Sequence, residues 1–303
     1  MEGPRSLLAR LPFTLTGAGV GMACMLAATA CFAVMNGMIR YLGKDGLVPP
    51  AEIAFFRAFF GLVLLLPVLA WYGPSLIKTQ RLRMHALRGT IQGVSMVLFF
   101  LGLSMTVLAK ATAFEFAAPI IATAIAVLFL GEPVRTRRLI AMGVGFVGIM
   151  IVLRPGFIPL AWGPVLVIVS VIIWAGCQLM IRSLSRTESS FAQTFYMTLF
   201  LMPLNFAAAA PFWVWPSLHA VMVLVLIAGV ANVGTVLYGE AFRRADMSAV
   251  LPLESTKIIW TASIGWAFFA ETPDIWTLFG GFVIFAAAAY ITIREAQLAR
   301  AAK

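Results

Sequence analysis

Few residues in this chain are equipped for chemistry, and most of them stand inside apolar runs. Glu254 and Lys257 are three positions apart, which puts them on one face of a helix. Opposite charges so placed either neutralise each other or bind a solute that carries both signs. Glu115 lies in a similar run, with Pro119 four residues after it. Proline has no N–H to give the carbonyl of residue i−4, so that spacing frees the Glu115 carbonyl beside its carboxylate. The plainer alternative has Glu115 near a helix end, close to Lys110 and facing water. Arg57 is placed to attract a carboxylate or to pair with Glu52. Glu240 with Arg243 and Arg244 reads as a helix-end network. Glu132 and Glu271 read as residues that fix turns.

Neutral polar and aromatic residues complete the candidate site. Asn36 and Gln178 are amides within apolar runs, and Phe56, Phe99, Trp174, Tyr196, Tyr238 and Trp260 are candidate walls. An apolar cavity with a few placed polar groups is the usual form of a small-molecule site. An enzyme needs more than this. The two histidines, His85 and His219, fall near the ends of runs, and no aspartate lies within one. No GxSxG, HExxH or GxxxxGK[ST] motif occurs. Cys24, Cys31 and Cys177 form no CxxC pair and read as small packing residues. No catalytic role, metal or cofactor is expected.

The elements that hold these residues follow from composition. Of 303 residues, 62% are hydrophobic and 11% charged, against about 25% charged in a soluble domain. That excludes an ordinary soluble enzyme and a disordered chain, and points to an all-α integral membrane protein. Breakers such as Pro49-Pro50, Gly73-Pro74, Gly131-Glu132-Pro133 and Glu271-Thr272-Pro273 divide the chain. Ten transmembrane helices are expected, at 17–40, 52–73, 88–108, 111–130, 138–153, 160–182, 190–213, 217–239, 249–270 and 275–293. The first run shows no cleavage site and is expected to serve as an uncleaved insertion signal. Glycines spaced as Gly17/Gly21 and Gly89/Gly93, and the group Gly143, Gly145 and Gly148, suit close helix packing.

The net charge of +10 orients the spans. With the N-terminus in the cytoplasm, sixteen of the 22 lysines and arginines fall on cytoplasmic segments. Only Arg40, Lys44, Lys110 and Arg154 fall outside, and Arg57 and Lys257 lie within spans. This bias puts both termini in the cytoplasm. The basic clusters are expected to meet lipid headgroups and not nucleic acid.

The two halves of the chain also resemble each other. Phe32-Ala33-Val34-Met35-Asn36 running to Met38-Ile39-Arg40 aligns with Trp174-Ala175-Gly176-Cys177-Gln178 running to Met180-Ile181-Arg182. Phe55, Phe56 and Phe60 align with Phe195, Tyr196 and Phe200, and the interval from Glu115 to Glu132 equals that from Glu254 to Glu271. All three matches share an offset of about 140 residues. The expected organisation is two inverted five-helix repeats, residues 1–155 and 156–303. An odd number of spans per unit forces the second copy to insert upside down, as in secondary transporters.

Ten short spans in two halves, with Gly131-Glu132-Pro133 after the fourth, resemble the EamA family of the drug/metabolite transporter superfamily. In the second half the turn keeps its glutamate as Ala270-Glu271-Thr272-Pro273 but lacks the glycine. The resemblance covers about residues 17–293 and is nearest to bacterial exporters of aromatic and other neutral amino acids. It implies a multi-pass carrier in the bacterial inner membrane that exports small metabolites by alternating access. Its substrate would be an amino acid or a related solute. The substrate gradient or coupled protons would supply the energy. The alternative within the superfamily is an exchanger of phosphorylated sugars or nucleotide-sugars, which calls for several cations in the membrane. Only Arg57 and Lys257 qualify.

Overall fold

The computed structural model describes residues 17–44, 46–118, 120–121, 124–125, 136–154, 161–184, 187–244, 253–254 and 256–301. Among these there are ten α-helices and no strand. They are α1 (Gly17–Lys44), α2 (Pro50–Tyr72), α3 (Leu82–Ser104), α4 (Leu108–Glu115), α5 (Thr136–Leu153), α6 (Trp162–Leu184), α7 (Ser190–Ala209), α8 (Leu218–Arg244), α9 (Thr256–Phe269) and α10 (Ile275–Ala301). Each overlaps one expected span. By length and composition five segments are suited to cross a membrane: Gly19–Lys44, Pro50–Tyr72, Leu82–Ser104, Phe191–Phe212 and Leu218–Ala241. Leu139–Leu153, Trp162–Cys177 and Ile275–Tyr290 are shorter apolar helices. The expected fourth and ninth spans lie partly outside the described residues.

Local sequence sets the helix ends. Pro50 opens α2 at a position where a missing N–H costs nothing, and Gly73 closes it with φ at +82°. The Ser189 hydroxyl caps α7 by accepting from the Ala192 amide at 3.0 Å. The Asp274 carboxylate does the same for α10, accepting from the Thr277 amide at 2.6 Å. Past the end of α9, Ala270 has φ at +53°. That is the left-handed region where helices usually place glycine, and the first-half equivalent in the sequence is Gly131.

Most of the larger helix contacts come in pairs that match between the two halves. Helix α1 packs on α8, and its counterpart α6 packs on α3. Likewise α3 meets α7 while α8 meets α2, and α1 meets α9 while α6 meets α4. Helices α2 and α7 pair with each other, as do α4 with α9 and α5 with α10. Glycine permits the closest of these approaches. A Cβ on Gly148 of α5 would come within 2.9 Å of the Ile284 amide, and one on Gly280 of α10 within 2.8 Å of the Gly148 carbonyl. Gly89 faces Phe200 of α7 in the same way, whereas Gly143 has open space.

Chain ends expected on one side of the membrane do meet. Arg154 after α5 pairs with Asp274 before α10. At the opposite ends, Arg81 donates to the Ser183 carbonyl at 3.0 Å and Thr79 to Glu188 at 2.8 Å. The most exposed tryptophans stand at helix ends or between helices, with Trp71 near the end of α2, Trp162 opening α6 and Trp215 between α7 and α8. Such a distribution suits a membrane–water boundary. The core runs through the middle of the bundle around Ile39, Leu103, Phe114, Leu201 and Leu224.

Candidate functional site

Residues from five helices line a half-open cavity of about 130 Å³. Its polar lining is Asn36 from α1, Arg57 from α2, Gln92 and Ser95 from α3, Glu115 from α4 and Ser170 from α6. Phe99, Phe100 and Trp174 supply aromatic wall, and Met35, Met96 and Val171 fill the rest. The two serines are committed to structure. Ser95 donates to the Ser170 carbonyl at 2.8 Å and Ser170 to the Val167 carbonyl at 2.6 Å, which ties α3 to α6.

Apart from Glu115, the other polar groups are not committed. Asn36 is 1% exposed, and neither its amide nitrogen nor its oxygen has a partner among the described residues. The Gln92 side-chain oxygen is likewise unpaired. Arg57 donates only to the Met96 sulfur, at 3.0 Å, a weak acceptor, and its Nε has no partner. The expected alternative partner, Glu52, makes no ion pair with it among the described residues: one carboxylate oxygen accepts from the Val214 amide at 2.5 Å and the other is unpaired. Native proteins pair nearly all buried polar groups. A cluster of unpaired ones around a cavity therefore reads as a surface prepared for a solute.

The charged residues are arranged differently from the simplest sequence expectation. Lys257 does not make its ion pair with Glu254. Its Nζ lies 2.8 Å from the Glu115 Oε2, so the pair joins the two halves of the chain. Glu115, the last residue of α4, thus lines the cavity and meets a lysine, with its side chain 27% exposed. The Lys257 ammonium also stands 5.9 Å from the centre of the Phe32 ring. Glu254 accepts from the Tyr238 hydroxyl at 3.3 Å, and the Tyr238 ring packs edge-on against Phe32.

Of the expected site residues, Asn36, Arg57, Phe99, Glu115 and Trp174 come together at the cavity, while Lys257, Glu254 and Tyr238 stand behind Glu115. The others stand apart. Phe56 packs against Phe60 and Trp213. Tyr196 lies against His85 and donates to the Ile77 carbonyl at 2.8 Å. Trp260 is exposed on the outside of α9. The Gln178 side chain lies outside the described residues. Gln92 was missed by sequence reasoning, although an amide inside an apolar run is the same signal that singled out Asn36.

Two further charged clusters act as fasteners. Glu271 pairs with Arg40 through both Nε, at 2.6 Å, and Nη2, and its second oxygen accepts from the Leu108 amide at 2.9 Å. Arg40 also donates to the Leu103 carbonyl at 2.8 Å. One carboxylate thus fixes the ends of α1, α3 and α4 to the turn after α9. Glu240 accepts from the Arg244 Nε at 2.9 Å within α8. The Glu132 turn and the Arg243 side chain lie outside the described residues.

The helical bundle, its apolar segments and its interior polar cavity define a multi-pass membrane protein built to bind a small molecule. The EamA-like transporter family model matches residues 19–154 and again 161–293. The chain belongs to that family, and its relatives are transporters, not enzymes. It is 28% identical to the S-adenosylmethionine uptake transporter of Rickettsia bellii, over 91% of this chain and 94% of that one. It is 28% identical to the riboflavin transporter of Vibrio cholerae, over 92% and 95%. The pseudopaline exporter of Pseudomonas aeruginosa is 27% identical, over 87% and 93%. A solved crystal structure aligns with a TM-score of 0.60 at 16% identity, covering 91% of this chain and 97% of the other. These similarities support transport and not amino-acid export in particular.

Proposed function

We propose that this chain is a secondary carrier of small amphoteric metabolites that bear a flat ring. Aromatic amino acids and S-adenosylmethionine are both of this class. The observation that carries the reading is the cavity's chemistry: Arg57, which has no acidic partner among the described residues, and the Glu115 carboxylate line one chamber with Phe99 and Trp174. The guanidinium suits a carboxylate, Glu115 suits an ammonium, and the aromatic faces suit a ring. Asn36 and Gln92 supply donors and acceptors for orientation.

Two inverted units, 1–155 and 156–303, would exchange inward- and outward-open shapes around this chamber. The chain would lie in the bacterial inner membrane with both termini in the cytoplasm, as the basic residues favour. Relatives named for uptake and for export share the fold, so direction follows from the gradients acting on differential binding. A phosphorylated-sugar exchanger is disfavoured, because Arg57 is the one cation that lines the cavity among the described residues.

Counterflow in proteoliposomes tests the proposal. A panel would hold L-tryptophan, L-phenylalanine, S-adenosylmethionine, riboflavin and glucose 6-phosphate. Saturable exchange of an amphoteric member is expected, with little of uncharged riboflavin. Exchange of glucose 6-phosphate alone would overturn it.

A further inference from the structure

We propose that Lys257 is a tethered counter-ion, which holds on Glu115 in the empty carrier the place that the solute's ammonium takes in the loaded one. The inference rests on the amphoteric-solute reading above and adds to it how the carrier returns empty. Three observations carry it. The Glu115 carboxylate lines the cavity, yet its partner at 2.8 Å is a lysine that reaches in from the other half of the chain. The ammonium sits on a flexible four-carbon stem, so it can leave and return without moving a helix. The ammonium already has other neighbours while it is paired: the Phe32 ring lies 5.9 Å from Nζ, and Glu254, held by Tyr238 at 3.3 Å, is three residues earlier in the sequence.

The physical need is clear. A bare carboxylate in a water-poor chamber is costly, and the cost weighs on any conformation that closes around it. With Lys257 in place the empty chamber is neutral at Glu115, so the unpaired Arg57 is the one charge among the described residues that it carries as it reorients. When a solute ammonium binds, Lys257 swings towards Phe32 and Glu254, and the loaded chamber is neutral as well. Both the empty and the loaded carrier can then cross, so net transport is allowed. Without the lysine only the loaded form crosses readily, and the carrier is confined to exchange.

The ratio of exchange to net flux reads this directly. Wild-type, Lys257→Met and Lys257→Arg proteins would be reconstituted with labelled L-tryptophan and S-adenosylmethionine. Counterflow into loaded vesicles would be compared with uptake into empty ones. In Lys257→Met the ratio should rise at least tenfold, and in Lys257→Arg it should match wild type. An unchanged ratio in Lys257→Met, or equal loss of both modes, would overturn the tether alone. Failure of the wild type to exchange either solute would overturn the amphoteric reading and the tether with it.

Should Lys257→Met not fold, the double variant Glu115→Gln/Lys257→Met removes both charges and their mutual need. It should keep the wild-type ratio while its KM rises at least tenfold. A wild-type KM in that variant would show that Glu115 never meets the solute, and would overturn the proposal.

Discussion

Lys257 Nζ lies 2.8 Å from Glu115 Oε2, and the two residues belong to opposite halves of the chain. They are also the charges nearest the polar cavity apart from Arg57. The contact therefore joins the cavity wall to the packing between the halves, which the proposed alternating access would have to change.

Asn36→Leu separates binding from stability. Both polar atoms of Asn36 are buried and unpaired, and such a group costs about 1–3 kcal/mol. The variant should melt at the wild-type temperature or above it, while its KM for an exchanged solute rises several-fold. A lowered melting temperature with unchanged KM would place Asn36 in the scaffold.

Glu271→Gln should loosen one end of the bundle. The Arg40 and Glu271 side chains are 7% and 10% exposed, and breaking a buried pair costs about 3–5 kcal/mol. Thermal unfolding in detergent should show a clear drop in melting temperature. Arg40→Met/Glu271→Leu should recover much of it, because no bare charge remains.

Ala270→Gly should stabilise the protein. Ala270 holds a left-handed φ of +53°, which costs a residue with a Cβ roughly 1–2 kcal/mol. A raised melting temperature with unaltered exchange is the expected outcome. A lowered one would mean that the alanine methyl is needed for packing.

Many of the helices were legible in the sequence because their apolar runs end at visible breakers such as Pro49-Pro50 and Gly73-Pro74, and the polar exceptions within runs pointed to Asn36, Arg57 and Glu115. The cross-half pair was not legible. Spacing along one helix brings Glu254 and Lys257 to one face, but Lys257 and Glu115 are 142 positions apart and only packing of α4 on α9 joins them. Aromatic identity was a poor guide for a related reason. Phe56, Tyr196 and Trp260 have the right chemistry for a cavity wall, yet which way a ring points depends on helix rotation. In a uniformly apolar span no polar face marks that rotation. Gln92 was hidden by its neighbours Gly89 and Gly93, whose spacing drew attention to packing. The absence of glycine from the Ala270 turn was visible by comparison with Gly131, but its meaning needed the backbone angle.

The central claim is that Arg57 receives the solute's carboxylate. The most direct measurement is the KM for counterflow of L-tryptophan and S-adenosylmethionine by wild-type and Arg57→Met protein, with tryptamine, which lacks the carboxylate, as competitor. Arg57 has no acidic partner among the described residues, so its loss leaves no bare charge and the variant should fold as stably as wild type. The account predicts saturable exchange of at least one solute, a KM at least tenfold higher in Arg57→Met, and equal inhibition of both proteins by tryptamine. Exchange of neither solute, or a wild-type KM in the variant, would contradict it.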